Sequence, residues 1–332
     1  MSTATFELGY FGKLPIYEEF LRHNAEWDEV RFIEQWLHQG IHTGELGNKE
    51  AWELSYQRAP AYNFLLRLKG NRRFLVGTFV FSRDRGGREY PFAIFLTVDH
   101  KKFNMHQIFM PIIFTNFLEK AAGLANDGWR ECERQELLTR FQELGEQIPA
   151  RPQTYQDKFL TFLNSRTTCE FWHALFGSFE DTRKYLVYQN LRQILLPLRQ
   201  RKVQKFSLGL RFPLVQQDDR EAFEITFWLY LAARLAGDPL SAPLLFWNID
   251  RAHPAAMLLF LQPPMPESVK YLLQPESEDE RLCVLDRDGK VHPEGLTSTV
   301  RNLMDAPNLK LVEWLRAIEK ENKANQNGQR NG

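Results

Sequence analysis

The run Phe74-Leu75-Val76-Gly77-Thr78-Phe79-Val80-Phe81 leads into Ser82-Arg83-Asp84-Arg85-Gly86-Gly87-Arg88-Glu89-Tyr90-Pro91. Phe92-Ala93-Ile94-Phe95-Leu96-Thr97-Val98 follows. Both apolar runs are short and rich in β-branched and aromatic residues. They read as two buried strands. The Gly-Gly pair between them suits a tight turn, because glycine supplies the backbone freedom a hairpin needs. Three arginines in six residues exceed what a turn requires. Their planar donor forks suit capture of an anion or a carboxylate. The bland alternative is a solvated hairpin tip, in which Asp84 pairs internally with an arginine.

Outward from this hairpin, the chain alternates helices and strands. Trp27, Val30, Ile33, Trp36, Leu37 and Ile41 recur at steps of three and four, which predicts a helix over 25–41 capped by Asn24, with Gly40 near its end. Trp52 to Tyr56 alternates in period two and reads as a strand. Tyr62 to Leu68 reads as another. Helices are expected over 106–124, where Pro111 starts or kinks the helix, and over 130–147. Pro149 and Pro152 then break the pattern. They suggest an N-terminal domain over 1–150 and a C-terminal α/β domain over 151–320. In the second half, helices are predicted over 153–164, 181–200, 219–235 and 267–273. Strands are predicted over 205–212, 244–249 and 256–261. Asp286-Arg287-Asp288-Gly289 predicts a hairpin turn within 282–291. A last helix is expected over 312–320, and the polar stretch 321–332 is expected to be a disordered tail. The fold class is therefore α/β (α+β), a sheet flanked by helices with a second, smaller α/β region.

The composition narrows the function. Of 332 residues, 43% are hydrophobic, enough for extended cores, and 42 Lys and Arg balance 42 Asp and Glu. That balance argues against a general nucleic-acid binder. No window approaches 18 uncharged apolar residues, so direct membrane insertion is not expected. The N-terminus lacks a basic start and an apolar core, so it does not read as a signal peptide. Three dispersed cysteines, Cys132, Cys169 and Cys283, form no CxxC pair. They fit a reducing, cytoplasmic setting.

A search for catalytic chemistry yields little. Gly9-x-x-Gly12-Lys13 lacks the remaining positions of a phosphate-binding loop, since Glu7 and Leu14 stand where Gly and Ser/Thr are needed. A tight turn explains its glycines. His38 and His42 have helical metal-ligand spacing but no third ligand, and solvent-facing histidines account for them. Cys169 and His173 share a helix face at i,i+4. The flanking Phe171, Trp172 and Phe176 point instead to an aromatic packing helix. Lys290 stands at the fifth loop position after Asp286, where a calcium loop needs an oxygen ligand. No cofactor or metal is expected.

Two stretches together carry a family resemblance. Gly9-Tyr10-Phe11-Gly12-Lys13-Leu14-Pro15, followed by Phe20, Arg22 and the Trp36-Leu37 helix, resembles the opening of the TagF/ImpM family of type VI secretion-associated proteins, approximately G-x-x-G-K-L-P-x-x-G-D-F. Ser82-x-Asp84-Arg85-x-Gly87-Arg88-x-Tyr90-Pro91 is similar to its second signature, S-x-D-R-x-G-R-x-[FY]-P. Leu245-Phe246-Trp247 resembles a later element more loosely. The chain departs from the pattern at Glu18-Glu19, where the family tends to have Gly-Asp.

The resemblance implies a cytoplasmic, non-enzymatic protein with a longin/profilin-like domain. It implies a post-translational repressor of type VI secretion that engages the forkhead-associated scaffold protein of the apparatus. Lys13, Pro15, Asp84, Arg85, Gly87 and Arg88 become the protein-binding candidates, with the two signature loops expected to lie close together. A structural subunit of the secretion baseplate and a hydrolase built on Cys169 and His173 are the competing readings.

Overall fold

The computed structural model describes residues 6–330, apart from 48, 100, 102–106, 131–133, 147–152, 200–207, 216–219, 238–239, 241–242, 251, 278, 288 and 290–295. Its centre is one nine-stranded sheet. The strands are β1 (Phe6–Gly12), β2 (Leu21–His23), β3 (Tyr62–Leu66), β4 (Arg73–Val80), β5 (Phe92–Asp99), β6 (Gly209–Pro213), β7 (Leu244–Asn248), β8 (Ala256–Phe260) and β9 (Leu282–Val284). They lie in the order β2-β1-β5-β4-β3-β7-β8-β6-β9. All neighbours are antiparallel except β6 and β9.

The hairpin read from the sequence is the β4–β5 pair, in register from Arg73 with Asp99 to Val80 with Phe92. Its apolar runs are continuous because both faces of the sheet are covered. Val76, Val80, Phe92, Ile94 and Leu96 enter one core, while Leu75, Phe79, Ala93 and Phe95 enter the other. Period-two alternation therefore separates two buried sides rather than a wet side from a dry one.

One face is covered by α1 (Asp28–Glu45), α2 (Lys49–Arg58) and α10 (Lys270–Leu273). Onto the other pack α3 (Met110–Ile113), α4 (Thr115–Gly123), α5 (Arg134–Glu146), α6 (Gln153–Ser165), α7 (Thr168–Phe176), α8 (Arg183–Arg199), α9 (Glu221–Ala236), α11 (Ser298–Met304) and α12 (Leu311–Arg330). Trp172, Trp228 and Trp314 meet between α7, α9 and α12 with Phe171 and Phe227, and the Phe171 and Phe227 rings are 4.7 Å apart.

Several expectations need correction. Trp52 to Tyr56 is helical, within α2. Trp52 and Tyr56 are buried four residues apart while Leu54 is 48% exposed, as on a helix face; a strand would turn all three to one side. Asn24 does not cap α1. It sits at φ 47°, and its amide donates to the Leu8 carbonyl at 2.7 Å. The helix starts at Asp28 after Trp27, with Asp28 and Glu29 in its first turn, and runs past Gly40 to Glu45. The segment 106–124 is broken at Phe114, with Pro111 in the first turn of α3. Residues 321–330, expected in a disordered tail, continue α12. The segment 282–291 forms β9 parallel to β6. The second arm of the hairpin expected there lies largely outside the described residues.

The division expected near residue 150 also lies outside them. The sheet itself passes from one half of the chain to the other through β3 and β7, paired from Tyr62 with Asn248 to Leu66 with Leu244. Among the described residues, no single helix is long and apolar enough to cross a membrane. One bent pair, 107–113 and 115–128, meets that test only when taken together. Its Met110, Ile112, Ile113 and Phe117 are buried in the core.

Candidate functional site: a carboxylate clamp joining two loops

The loop after β1 and the β4–β5 tip meet around one carboxylate. Gly12 ends β1 at φ +119° beside the Pro91 carbonyl, a conformation and a closeness that favour glycine. The chain then turns through Lys13 to Tyr17, closed by Tyr17 N–H donating to the Leu14 carbonyl at 3.0 Å. Leu14 and Tyr17 are buried and anchor the loop. At the tip, Gly87 takes φ +83°, and Asp84 N–H donates to the Arg88 carbonyl at 3.0 Å. Arg83 and Glu89 form a β-bridge below it.

The Asp84 side chain is fully buried. Its Oδ1 accepts the Arg88 backbone N–H at 2.9 Å. Its Oδ2 accepts Arg88 Nε at 2.7 Å and lies 3.2 Å from Lys13 Nζ. Burial alone would push this carboxyl up. The Arg88 backbone donor, Lys13 and the Arg88 side chain outweigh burial and hold it down at about 2. The clamp closes from the other side as well. Arg88 Nη2 donates to the Glu18 carbonyl at 2.7 Å, Arg85 N–H to the Tyr17 carbonyl at 2.8 Å, and Lys13 Nζ reaches the Arg88 carbonyl at 3.5 Å.

The helices fix the base of the tip. Tyr56 Oη on α2 donates to the Ser82 carbonyl at 2.9 Å, and Tyr90 Oη donates to the Glu34 carbonyl of α1 at 3.1 Å. Burial raises both phenols, so they stay neutral donors. Arg22 grips Glu34 through two bonds of 2.8 and 2.6 Å, and Phe20 packs edge-on to Tyr90.

The structure thus brings together Lys13, Asp84, Gly87 and Arg88, and the two loops touch as the sequence reading expected. Pro15 stands slightly apart. It lines an open cleft of about 610 Å³ beside the tip, with Ser82, Arg83, Trp129, Arg130 and Asp250. One wall of the cleft is the π-helical turn Leu124–Gly128, and Asp127 pairs there with Arg130 at 3.3 Å. Such turns recur at functional sites. The side chains of Arg83 and Arg85 are exposed at the tip.

Sequence reading missed the Tyr17 and Glu18 carbonyls, because a main-chain acceptor leaves no side-chain signal. They also explain the departure at Glu18-Glu19. Arg88 uses a carbonyl that any residue offers, and Glu18 is not among the positive-φ residues, so glycine is not required there. Trp129 and Arg130 were equally invisible, since a cleft wall supplied by a post-helix turn has no local signature.

The other candidates are dispersed. His38 and His42 are both solvent-exposed. Among the described residues, no group of three or more His, Cys, Asp or Glu could hold a metal ion. Cys169 is half-buried on α7 and His173 is exposed. Asp250 accepts the Ala252 N–H of its own turn at 2.8 Å, and the His253 ring meets the Arg58 carbonyl at 2.8 Å.

Comparison with known families matches residues 9–144 to the TagF N-terminal domain, described as type VI secretion system-associated. Both loops of the clamp lie within that span. No curated protein matches the chain. Among solved structures, the crystal structure of PA0076 from Pseudomonas aeruginosa PAO1 is similar, at 15% identity and a TM-score of 0.48, covering 82% of this chain and 96% of that one.

Proposed function

We propose that this chain, a member of the type VI secretion-associated TagF family through residues 9–144, is a non-enzymatic, cytoplasmic repressor that acts by binding the forkhead-associated scaffold protein of the secretion apparatus. The observation that supports this reading most is the Asp84 clamp. It spends a buried carboxylate, a lysine and an arginine on holding two loops rigidly together, and it carries Arg85 outward on the result. A rigid tip with an exposed arginine suits a protein interface, since ordering costs are already met in the free protein. The adjacent cleft offers Trp129 and Arg130, the residue types enriched at interfaces.

Pull-down and titration with the purified scaffold protein test this. Arg85→Ala should fold normally and lose about 2 kcal/mol of binding, roughly thirtyfold. Undiminished binding by folded Arg85→Ala removes the tip from the interface. Deleting the gene should leave secretion active or overactive. A loss of secretion on deletion would favour a baseplate subunit over a repressor.

A further inference from the structure

A second cleft lies between α8, α9 and α12, with most of its lining beyond residue 144 and its floor reached by Ile108 and Phe109. It measures about 490 Å³, within the range of small-molecule sites. Ile108, Phe109 and Ala233 form its apolar wall, and Tyr230 lies beside them. Among the described residues, its charged lining is Arg199, Arg234 and Lys323 against the single carboxylate of Glu319. Arg234 Nη1 and Lys323 Nζ both approach the same oxygen, Glu319 Oε1, at 3.2 and 2.9 Å. One anion thus serves two cations, and Arg199 adds a third.

These cations are also positioned. The Arg199 stem lies against Gly237, where a side-chain carbon would stand 2.7 Å from Cγ and 2.9 Å from Cδ. Its Nη1 donates to the Arg234 carbonyl at the end of α9 at 3.1 Å. That bond takes one of five N–H donors. Arg234 is held on its other side by Nη2 donating to Tyr230 Oη at 2.8 Å, with its guanidinium 4.8 Å from the Tyr230 ring. Two oriented guanidiniums and an ammonium match the three oxygens and double charge of a phosphate group.

We infer that this cleft binds a phosphate-bearing small molecule, its phosphate on Arg199, Arg234 and Lys323 and its less polar part against Phe109 and Ala233. This site is independent of the clamp.

Calorimetric titration of the full chain with inorganic phosphate and with AMP, at constant ionic strength, tests it. Saturable one-to-one binding is expected for both probes. Tighter AMP binding would place the organic part on the apolar wall, and equal affinities would confine recognition to the phosphate. Arg199→Gln should weaken binding at least about tenfold, the scale of one charge-assisted hydrogen bond. Lys323→Gln, at an exposed position, should weaken it with no change in Tm. Glu319→Gln should tighten it by removing the competing carboxylate, an effect that loss of fold cannot imitate. Absence of saturation below about 10 mM ligand, or affinities indifferent to all three substitutions, would overturn the inference.

Discussion

Gly12→Ala perturbs the hinge on which the clamp depends, and the structure sets its size. The new methyl carbon would stand 1.9 Å from the Pro91 carbonyl oxygen, 2.7 Å from Phe92 Cα and 2.8 Å from the Pro91 carbonyl carbon. Ordinary carbon–oxygen contacts lie at about 3.3 Å or more. The listless alternative of a side chain swinging aside does not exist here, because all three neighbours are backbone. Gly12 pairs with Leu21, and Phe11 beside it pairs with Ala93, so β1 must part from β2 or β5 to make room. Overpacking of this kind costs about 1–3 kcal/mol. Holding a non-glycine residue at φ +119° costs about 1–3 kcal/mol more.

Together these give about 4 kcal/mol. Unfolding entropies near 2.1 cal/mol/K per residue, applied to this chain, convert that to a fall in Tm of about 6 °C. Gly87→Ala is the matched control. It too has positive φ, at +83°, but nothing lies within 4 Å of an added carbon. Only conformational strain of about 1 kcal/mol remains there, or about 1–2 °C. Scanning calorimetry of both variants measures the difference. Equal shifts, or a Gly12→Ala protein that melts with the wild type, would refute the claim that Gly12 is fixed by its contact with Pro91.

Asp84→Asn should lower Tm at pH 7, and the gap from wild type should close in acid. The folded carboxyl titrates at about 2, below its ordinary 3.8, so its stabilising effect is full above about pH 4 and is lost as pH falls toward 2. A gap that stays constant between pH 7 and pH 3 would show that the charge of Asp84 is not what the clamp uses. Residues 1–150 produced alone should aggregate, because β3 would lose its β7 partner and present an open edge whose residues are all buried in the full chain. A monodisperse fragment with a cooperative melt would show that this half folds independently.

The β4–β5 hairpin was legible because fourteen buried positions in two runs leave few other structures for those residues. Helix α1 was legible from apolar spacing at three and four, and α6, α8 and α9 also fall where helices were expected. The α2 segment was not, because over five residues alternation and an i,i+4 face select the same two aromatics. The continuity of the sheet was not legible either. Leu244 to Asn248 reads as a buried strand, but nothing local says that it pairs with β3 rather than closing a second sheet. Pairing partners distant in sequence are chosen by the whole fold. For the same reason Asp84 looked like a surface residue. Flanked by Arg83 and Arg85 it has the composition of a solvated tip, and Arg88 together with Lys13, which arrives from another loop, makes its burial tolerable.

That burial divides the three arginines into separate tasks. Arg83 sits in the bridge to Glu89 and faces the cleft. Arg88 is 68% exposed, yet its Nε is committed to Asp84 and its Nη2 to the Glu18 carbonyl. A partner that drew Arg88 or Lys13 away would leave a buried carboxylate short of its counter-charge, a costly exchange. Among the described residues Arg85 is tied through its backbone N–H, to the Tyr17 carbonyl, and its side chain is exposed, so it can be engaged without disturbing the clamp. The charge excess that singled out this stretch is therefore partly structural: Arg88 is committed to the clamp, while Arg83 and Arg85 present exposed side chains. Arg85→Ala and Arg88→Ala should accordingly part company: the first weakening partner binding at unchanged Tm, the second lowering Tm as well. Equal losses of stability in the two would undo this division.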